Sequence, residues 1–202
     1  MKKTLSAAAF CMLVTLANAQ EWAPGNADWN TLPSIKQSKQ GRYLTPQQAL
    51  DMVQRDGKNV LFLDIRTRAE AMYVGMPAPV DALVPYVEHQ EIMAEWDDKR
   101  GMYLLEPNVD FPNEVARRLA AKGLNKHSPI ILICRSGDRS AKATDLLSLH
   151  GYTQVYSIPE GFEGDMGKTG AANGRRAVNG WKNANLPWSY KLDKAKMYFP
   201  AQ

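Results

Sequence analysis

The chain is poor in cysteine. Two are present in 202 residues, Cys11 and Cys134, which excludes the dense disulfide frameworks that staple small exported domains. Histidine is nearly as scarce. His89, His127 and His150 stand far apart, without metal-ligand spacing to one another or to Cys134, so no metal site is expected. Neither sign of charge prevails, with 25 basic residues against 21 acidic ones. Without a dense basic cluster, nucleic-acid binding is not expected. Leu5 to Leu16 is apolar but too short to anchor in a bilayer, and no second stretch approaches the length required. No glycine-rich phosphate loop or dinucleotide fingerprint opens a helix, so no cofactor is implied.

What is present is ordinary globular composition, 45% apolar and 23% charged, over a length that suits one domain with a full core. The first residues are a separate object. Lys2 and Lys3 precede the apolar stretch, and Ala17-Asn18-Ala19 supplies small residues where a signal peptidase reads. This order predicts a secretory signal peptide over residues 1–19 and a soluble, exported mature protein without membrane insertion, periplasmic where the cell has an outer membrane. Removing the leader takes Lys2, Lys3 and Cys11. It leaves 23 basic residues against 21 acidic ones, a net charge of +2, and Cys134 as the lone cysteine. Such a residue is an inert core side chain, an intermolecular partner or a reactive thiol.

The remaining chain reads as an N-terminal arm (residues 20–42), a domain (43–188) and a C-terminal tail (189–202). Thr45-Pro46 opens a helix that Asp56-Gly57 stops. Val60 to Ile65 is a nearly continuous apolar run, the pattern of a strand buried on both faces of a parallel sheet. A short helix is expected from about Thr67 to Tyr73 and a weaker strand over Val80 to Val84. Residues 86–110 read as a helix plus an irregular excursion, its Asp97-Asp98-Lys99-Arg100 run forming a solvated face. Phe111-Pro112 leads into a helix ended by Gly123. Pro129 to Ile133 is a second buried strand. Ser140 to His150 is a helix with Ala141, Ala143, Leu146, Leu147 and Leu149 inward. Gln154 to Ile158 is a last strand, and the glycine-rich stretch 161–180 is a long loop. Alternating strands and helices predict an α/β domain with a mainly parallel sheet. In such folds functional groups gather at the carboxyl ends of strands, where both Asp64 and Cys134 stand.

The segment Ile130-Ile131-Leu132-Ile133-Cys134-Arg135-Ser136-Gly137-Asp138-Arg139-Ser140 places a thiol between a buried strand and a helix N-terminus. Loop amides there have no helical partners and are free to point at the sulfur. Together with the helix dipole and two arginines they favour thiolate over thiol, and Gly137 permits a turn that a side chain would block. The sequence thus supplies a cradle for a sulfur anion.

Cys-Arg-Ser-Gly-Asp-Arg-Ser resembles the active-site loop of rhodanese-like proteins. Leu63-Asp64-Ile65-Arg66-Thr67-Arg68-Ala69-Glu70 is similar to the family's Asp-x-Arg-x-x-x-Glu segment. Tyr156 to Phe162 resembles its last strand and turn, and Gly180-Trp181-Lys182-Asn183-Ala184-Asn185-Leu186-Pro187 its closing motif. The four stand in the family's order. The resemblance implies a three-layer domain with a central, mainly parallel five-stranded sheet flanked by helices. It implies a sulfurtransferase in which Cys134 takes sulfane sulfur from a small anionic donor such as thiosulfate, holds it as a persulfide and passes it on. The acceptor is a thiophile, with a periplasmic protein as one candidate. Arg135, Ser136, Gly137, Asp138, Arg139 and Ser140 then form the substrate loop, with the amides of residues 135–139 stabilising the sulfur anion and Arg135 and Arg139 holding the donor. Asp64 and Arg66 are supporting residues that tie the loop together. Asp138, an acid inside the loop, departs from the thiosulfate-active members.

Two rival readings follow from the same residues. Cysteine phosphatases use Cys-x5-Arg to wrap a phosphoryl group, whereas Cys134 and Arg139 give Cys-x4-Arg, a loop one residue short. A non-enzymatic sulfur carrier or redox-responsive binding protein would use the same cysteine only with a protein partner, docking through the 86–110 and 161–180 segments.

Overall fold

A computed structural model describes residues 29–200. The signal peptide expected over 1–19, Cys11, and residues 20–28 of the arm lie outside the described residues. In chain order the elements are α1 (Pro46–Asp56), β1 (Leu61–Asp64), α2 (Arg68–Val74), β2 (Met76–Pro77), β3 (Ala82–Leu83), β4 (Val87–His89), β5 (Trp96–Asp97), β6 (Met102–Tyr103), β7 (Leu105–Pro107), α3 (Phe111–Ala121), β8 (Ile130–Ile133), α4 (Asp138–Leu149), β9 (Val155–Ser157) and β10 (Trp188–Ser189). Both early helices begin with a reciprocal cap. Thr45 Oγ1 accepts the Gln48 amide while Gln48 accepts the Thr45 amide, and Thr67 and Glu70 repeat the arrangement on α2.

Four strands form a parallel sheet in the order β3-β1-β8-β9. Every residue of the two central strands is buried, which is why both read as unbroken apolar runs. Their side chains still alternate between faces. Phe62, Ile131 and Ile133 meet α1, α2 and Trp181 on one side, while Leu61, Leu63, Ile130 and Leu132 meet α3 and α4 on the other. The result is the expected three layers.

The fifth rank of the sheet is reduced to a single bridge. Ser157 donates its amide to the Arg42 carbonyl and accepts from the Leu44 amide, with Tyr43 opposite it in parallel. The pairing goes no further because Gly41, at φ 61°, turns the chain before it, and Thr45-Pro46 begins α1 directly after it.

Residues 86–110 contain no helix. They fold as two antiparallel ladders, β4 with β7 and β5 with β6. Trp96 and Tyr103 pair edge to face across the second ladder at 5.2 Å. The charge run is its turn. The Arg100 amide donates to Asp97 Oδ1, the Gly101 amide to the Asp97 carbonyl, and Gly101 takes φ 63°. Helix α4 starts two residues before the predicted Ser140, and Leu149, expected inward, is 81% exposed.

Arm and tail both close onto the domain. Lys36 is buried and pairs with Asp165 at 2.6 Å, and Gln40 bonds Ser148, the Tyr152 carbonyl and the Val155 amide. The tail adds β10 antiparallel to β2. It lays Trp188, Leu192 and Met197 on the core and buries Tyr198. No helix among the described residues is long and apolar enough to cross a membrane.

Candidate active site

The register of the sheet builds the site. Asp64 on β1 lies opposite Ile133 on β8, and the Ile65 amide donates to the Ile133 carbonyl at 2.9 Å. Asp64-Ile65-Arg66 and Cys134-Arg135 therefore emerge side by side at the carboxyl edge. Beyond Cys134 the chain turns through Gly137, at φ 97°, and enters α4. A Cβ on Gly137 would overlap the Pro159 carbonyl, and one on Gly161 would overlap the Arg135 backbone. The two glycines let the cysteine loop and the turn after β9 pack backbone to backbone. Phe162 and Glu163 then donate their amides to the carbonyls of Cys134 and Arg135, at 2.8 and 3.0 Å.

Cys134 is free of disulfides and has no exposed surface. Its side chain belongs to the apolar cluster on the α3 and α4 face, yet the sulfur has polar neighbours. The Gly137 amide donates to Sγ at 3.1 Å, and the Ser140 hydroxyl lies 3.6 Å from Sγ. Ser140 Oγ in turn is 3.1 Å from the Gly137 carbonyl and 2.8 Å from Ser157 Oγ. Of the amides from 135 to 139 expected to converge on sulfur, Gly137 supplies the one hydrogen bond present among the described residues. Ser157, buried in β9, was not singled out in the sequence. A serine inside a buried strand is its only visible sign.

The two arginines of the loop diverge. Arg139 donates from both terminal nitrogens to Glu70, at 2.6 and 2.7 Å, with side chains only 12% and 17% exposed. Burial alone would raise the Glu70 carboxyl. The Arg139 hydrogen bonds and charge, with the Thr67 amide, outweigh it and hold Glu70 down to about 2. Burial works against the charge on Arg139 as well, and Glu70 overrides it so that the guanidinium is held further toward its charged form. Arg139, expected to hold a donor, is thus committed to Glu70 in a forked pair. Arg135 makes no side-chain ion pair or hydrogen bond among the described residues, and it faces a cavity of about 240 Å³. Thr67, Glu70, Asp138, Arg139 and Lys142 share that wall, and the 86–107 excursion supplies the opposite one. The sequence contained no sign of this roof.

Asp64 and Arg66 are fully buried and paired at 2.6 Å. Burial disfavours the Arg66 charge, but Asp64 more than offsets it and raises the guanidinium above its ordinary value. Arg66 also donates to the Gly75 carbonyl at 2.7 Å and lies over the Phe162 ring at 4.1 Å. It therefore ties the end of β1 to the end of α2 and to the turn that holds the Cys134 carbonyl. Ser136 is half-buried at the loop tip. No group of three or more His, Cys, Asp or Glu side chains able to hold a metal ion is gathered among the described residues.

This geometry has relatives. The chain is 31% identical over 134 residues to an uncharacterised protein of Rickettsia rickettsii, covering 65% of this chain and 85% of that one. It is similar to the crystal structure of Rv0390 from M. tuberculosis, with a TM-score of 0.54 and 28% identity over 73% of this chain and 96% of that one. A more distant likeness, with a TM-score of 0.41 and 20% identity, is the solution structure of a polysulfide-sulfur transferase homodimer from Wolinella succinogenes, matched over 73% of this chain and 77% of that one. The family model of the Rhodanese-like domain matches residues 45–167, from the cap of α1 past the cysteine loop and β9. The chain belongs to the rhodanese-like domain family.

Proposed function

We propose that this protein is an exported sulfurtransferase that carries sulfane sulfur on Cys134. The observation that carries the reading is the hydrogen bond from the Gly137 amide to Cys134 Sγ, in a loop strung between a buried strand and a helix N-terminus. An amide fixed there stabilises negative charge on sulfur without reorganising. In the transfer, the Cys134 thiolate attacks the outer sulfur of a small anionic donor. With thiosulfate, the sulfur–sulfur bond breaks, sulfite leaves with the electron pair, and Cys134–S–S⁻ remains. A thiophilic acceptor then removes the outer sulfur and regenerates the thiolate. Because Sγ is covered, the loop opens locally to admit each partner. The Asp64–Arg66 pair holds the frame behind it. The leader-like order of residues 1–19 supports export, to the periplasm where an outer membrane is present.

Intact-mass spectrometry of the mature protein after incubation with thiosulfate tests the reading. The expected result is a gain of one sulfur atom, reversed by cyanide and missing in Cys134→Ser. Sulfur gain that persists in Cys134→Ser overturns it. The complete burial of Sγ favours a second reading, a sulfur carrier that works only with a protein partner. A stable persulfide with negligible thiocyanate formation would select it.

A further inference from the structure

We propose that the cavity beside the cysteine loop binds an organic anion, so that the preferred donor is an alkyl persulfide with a carboxylate at its far end rather than an inorganic sulfur oxyanion. This rests on the sulfurtransferase reading of Cys134 and names the substrate class. The cavity belongs to the same site, since Arg135, Asp138 and Arg139 of the loop form part of its wall. Its volume of about 240 Å³ is more room than a five-atom oxyanion fills. Its opposite wall is built by the excursion, and Tyr86, Val87, Met102 and Leu105 make that wall apolar. An inorganic dianion gains nothing from such a surface, whereas an alkyl chain does.

The charges point to an anionic end. Glu70 and Arg139 cancel in their pair. Arg100, Arg135 and Lys142 then face the cavity against Asp138 alone, and Arg100 is held only loosely, 3.7 Å from Asp97. His89, in the same wall, adds a buried Nδ1 without a partner. Thr67 Oγ1 accepts the Glu70 amide at 3.1 Å and lies 3.4 Å from His89 Nε2, so one ring nitrogen has a polar neighbour and Nδ1 has none. The unpartnered Nδ1 is a polar atom aimed into the cavity wall, and a ligand carboxylate is the group that the surrounding cations select. In the reaction the Cys134 thiolate attacks the outer sulfur of R–S–SH. The sulfur–sulfur bond breaks, R–S⁻ leaves with the pair, and Cys134–S–SH keeps the donor's proton, with no external oxidant or reductant.

Calorimetric titration of the mature protein with 4-(methylthio)butyrate, an unreactive thioether carboxylate, tests the site apart from the chemistry. Saturable binding is expected, weakened about tenfold by combined charge reversal in Arg100→Glu and Lys142→Glu, and weakened also by His89→Phe. Sulfur loading of Cys134 by the persulfide of 3-mercaptopropionate should outpace loading by thiosulfate in the same protein. Absence of thioether binding, or binding indifferent to the charge reversals, overturns the inference even where thiosulfate loads Cys134. Thioether binding in a protein that no donor loads would leave the ligand class standing and overturn the persulfide reading of Cys134 instead.

Discussion

Gly137 and Glu70 decide, residue by residue, whether the cysteine loop keeps its shape. Gly137 combines a left-handed φ of 97° with a Cβ position occupied by the Pro159 carbonyl. Gly137→Ala is expected to cost about 1–2 kcal/mol from the backbone strain alone, with the Pro159 overlap adding to it, and to displace the amide that donates to Sγ. Urea denaturation reads the first effect, and the rate of thiol alkylation the second. Glu70 carries a pH signature. Its folded value, near 2, lies below the ordinary 4.5, so the unfolded chain binds more protons between those values. The pair's contribution is complete above about pH 5 and is lost as the pH falls toward 2. Its size is on the order of 3 kcal/mol. Glu70→Gln should lower stability by that order at pH 7, leaving Arg139 buried without its partner, and the gap from wild type should narrow by pH 3. A gap that stays constant across that range would show that Glu70 does not titrate as this pairing requires.

At the scale of elements, the strands and helices that frame the site were legible because each had one physical cause. Unbroken apolar runs mark β1 and β8, and caps or glycines mark α1 and α3. Cys134 was legible for the same reason, as a thiol between a run and a helix start. What the sequence concealed was pairing across distance. Nothing near Arg139 announces that Glu70, 69 positions away, will take both its terminal nitrogens. Nor do short segments such as Trp96–Asp97 and Met102–Tyr103 carry enough periodicity to be told from loop. The ladders they form depend on partners rather than on local preference. Helix α2 is the element most exposed to its ends. Seven residues do not sustain a helix in isolation, and α2 relies on the Thr67–Glu70 cap and on Arg66 bonding the Gly75 carbonyl. Thr67→Ala should cost about 1 kcal/mol and raise amide exchange throughout α2 before the central sheet is affected.

For the whole molecule, the division into arm, domain and tail understates how far the ends complete the core. The sheet has a protected edge because Arg42 to Leu44 clamp Ser157, and Ser157 touches Ser140 beneath the cysteine, so an arm residue stands two contacts from the site. The tail works on the opposite flank. Trp188 packs edge to face on Phe162 at 6.0 Å, the ring that also lies under Arg66. Arg118 on α3 donates to the carbonyls of Ala195 and Met197, and Tyr198 is buried. A chain ended at Pro187 loses the apolar burial of Trp188, Leu192, Met197 and Tyr198, a cost of roughly 3–6 kcal/mol given that the first three are only partly covered. It also frees one face of Phe162, whose amide holds the Cys134 carbonyl. Such a chain should therefore show a lower urea midpoint together with faster alkylation of Cys134. A midpoint shift without any change at the thiol would mean that the tail stabilises the domain but does not brace the loop through Phe162.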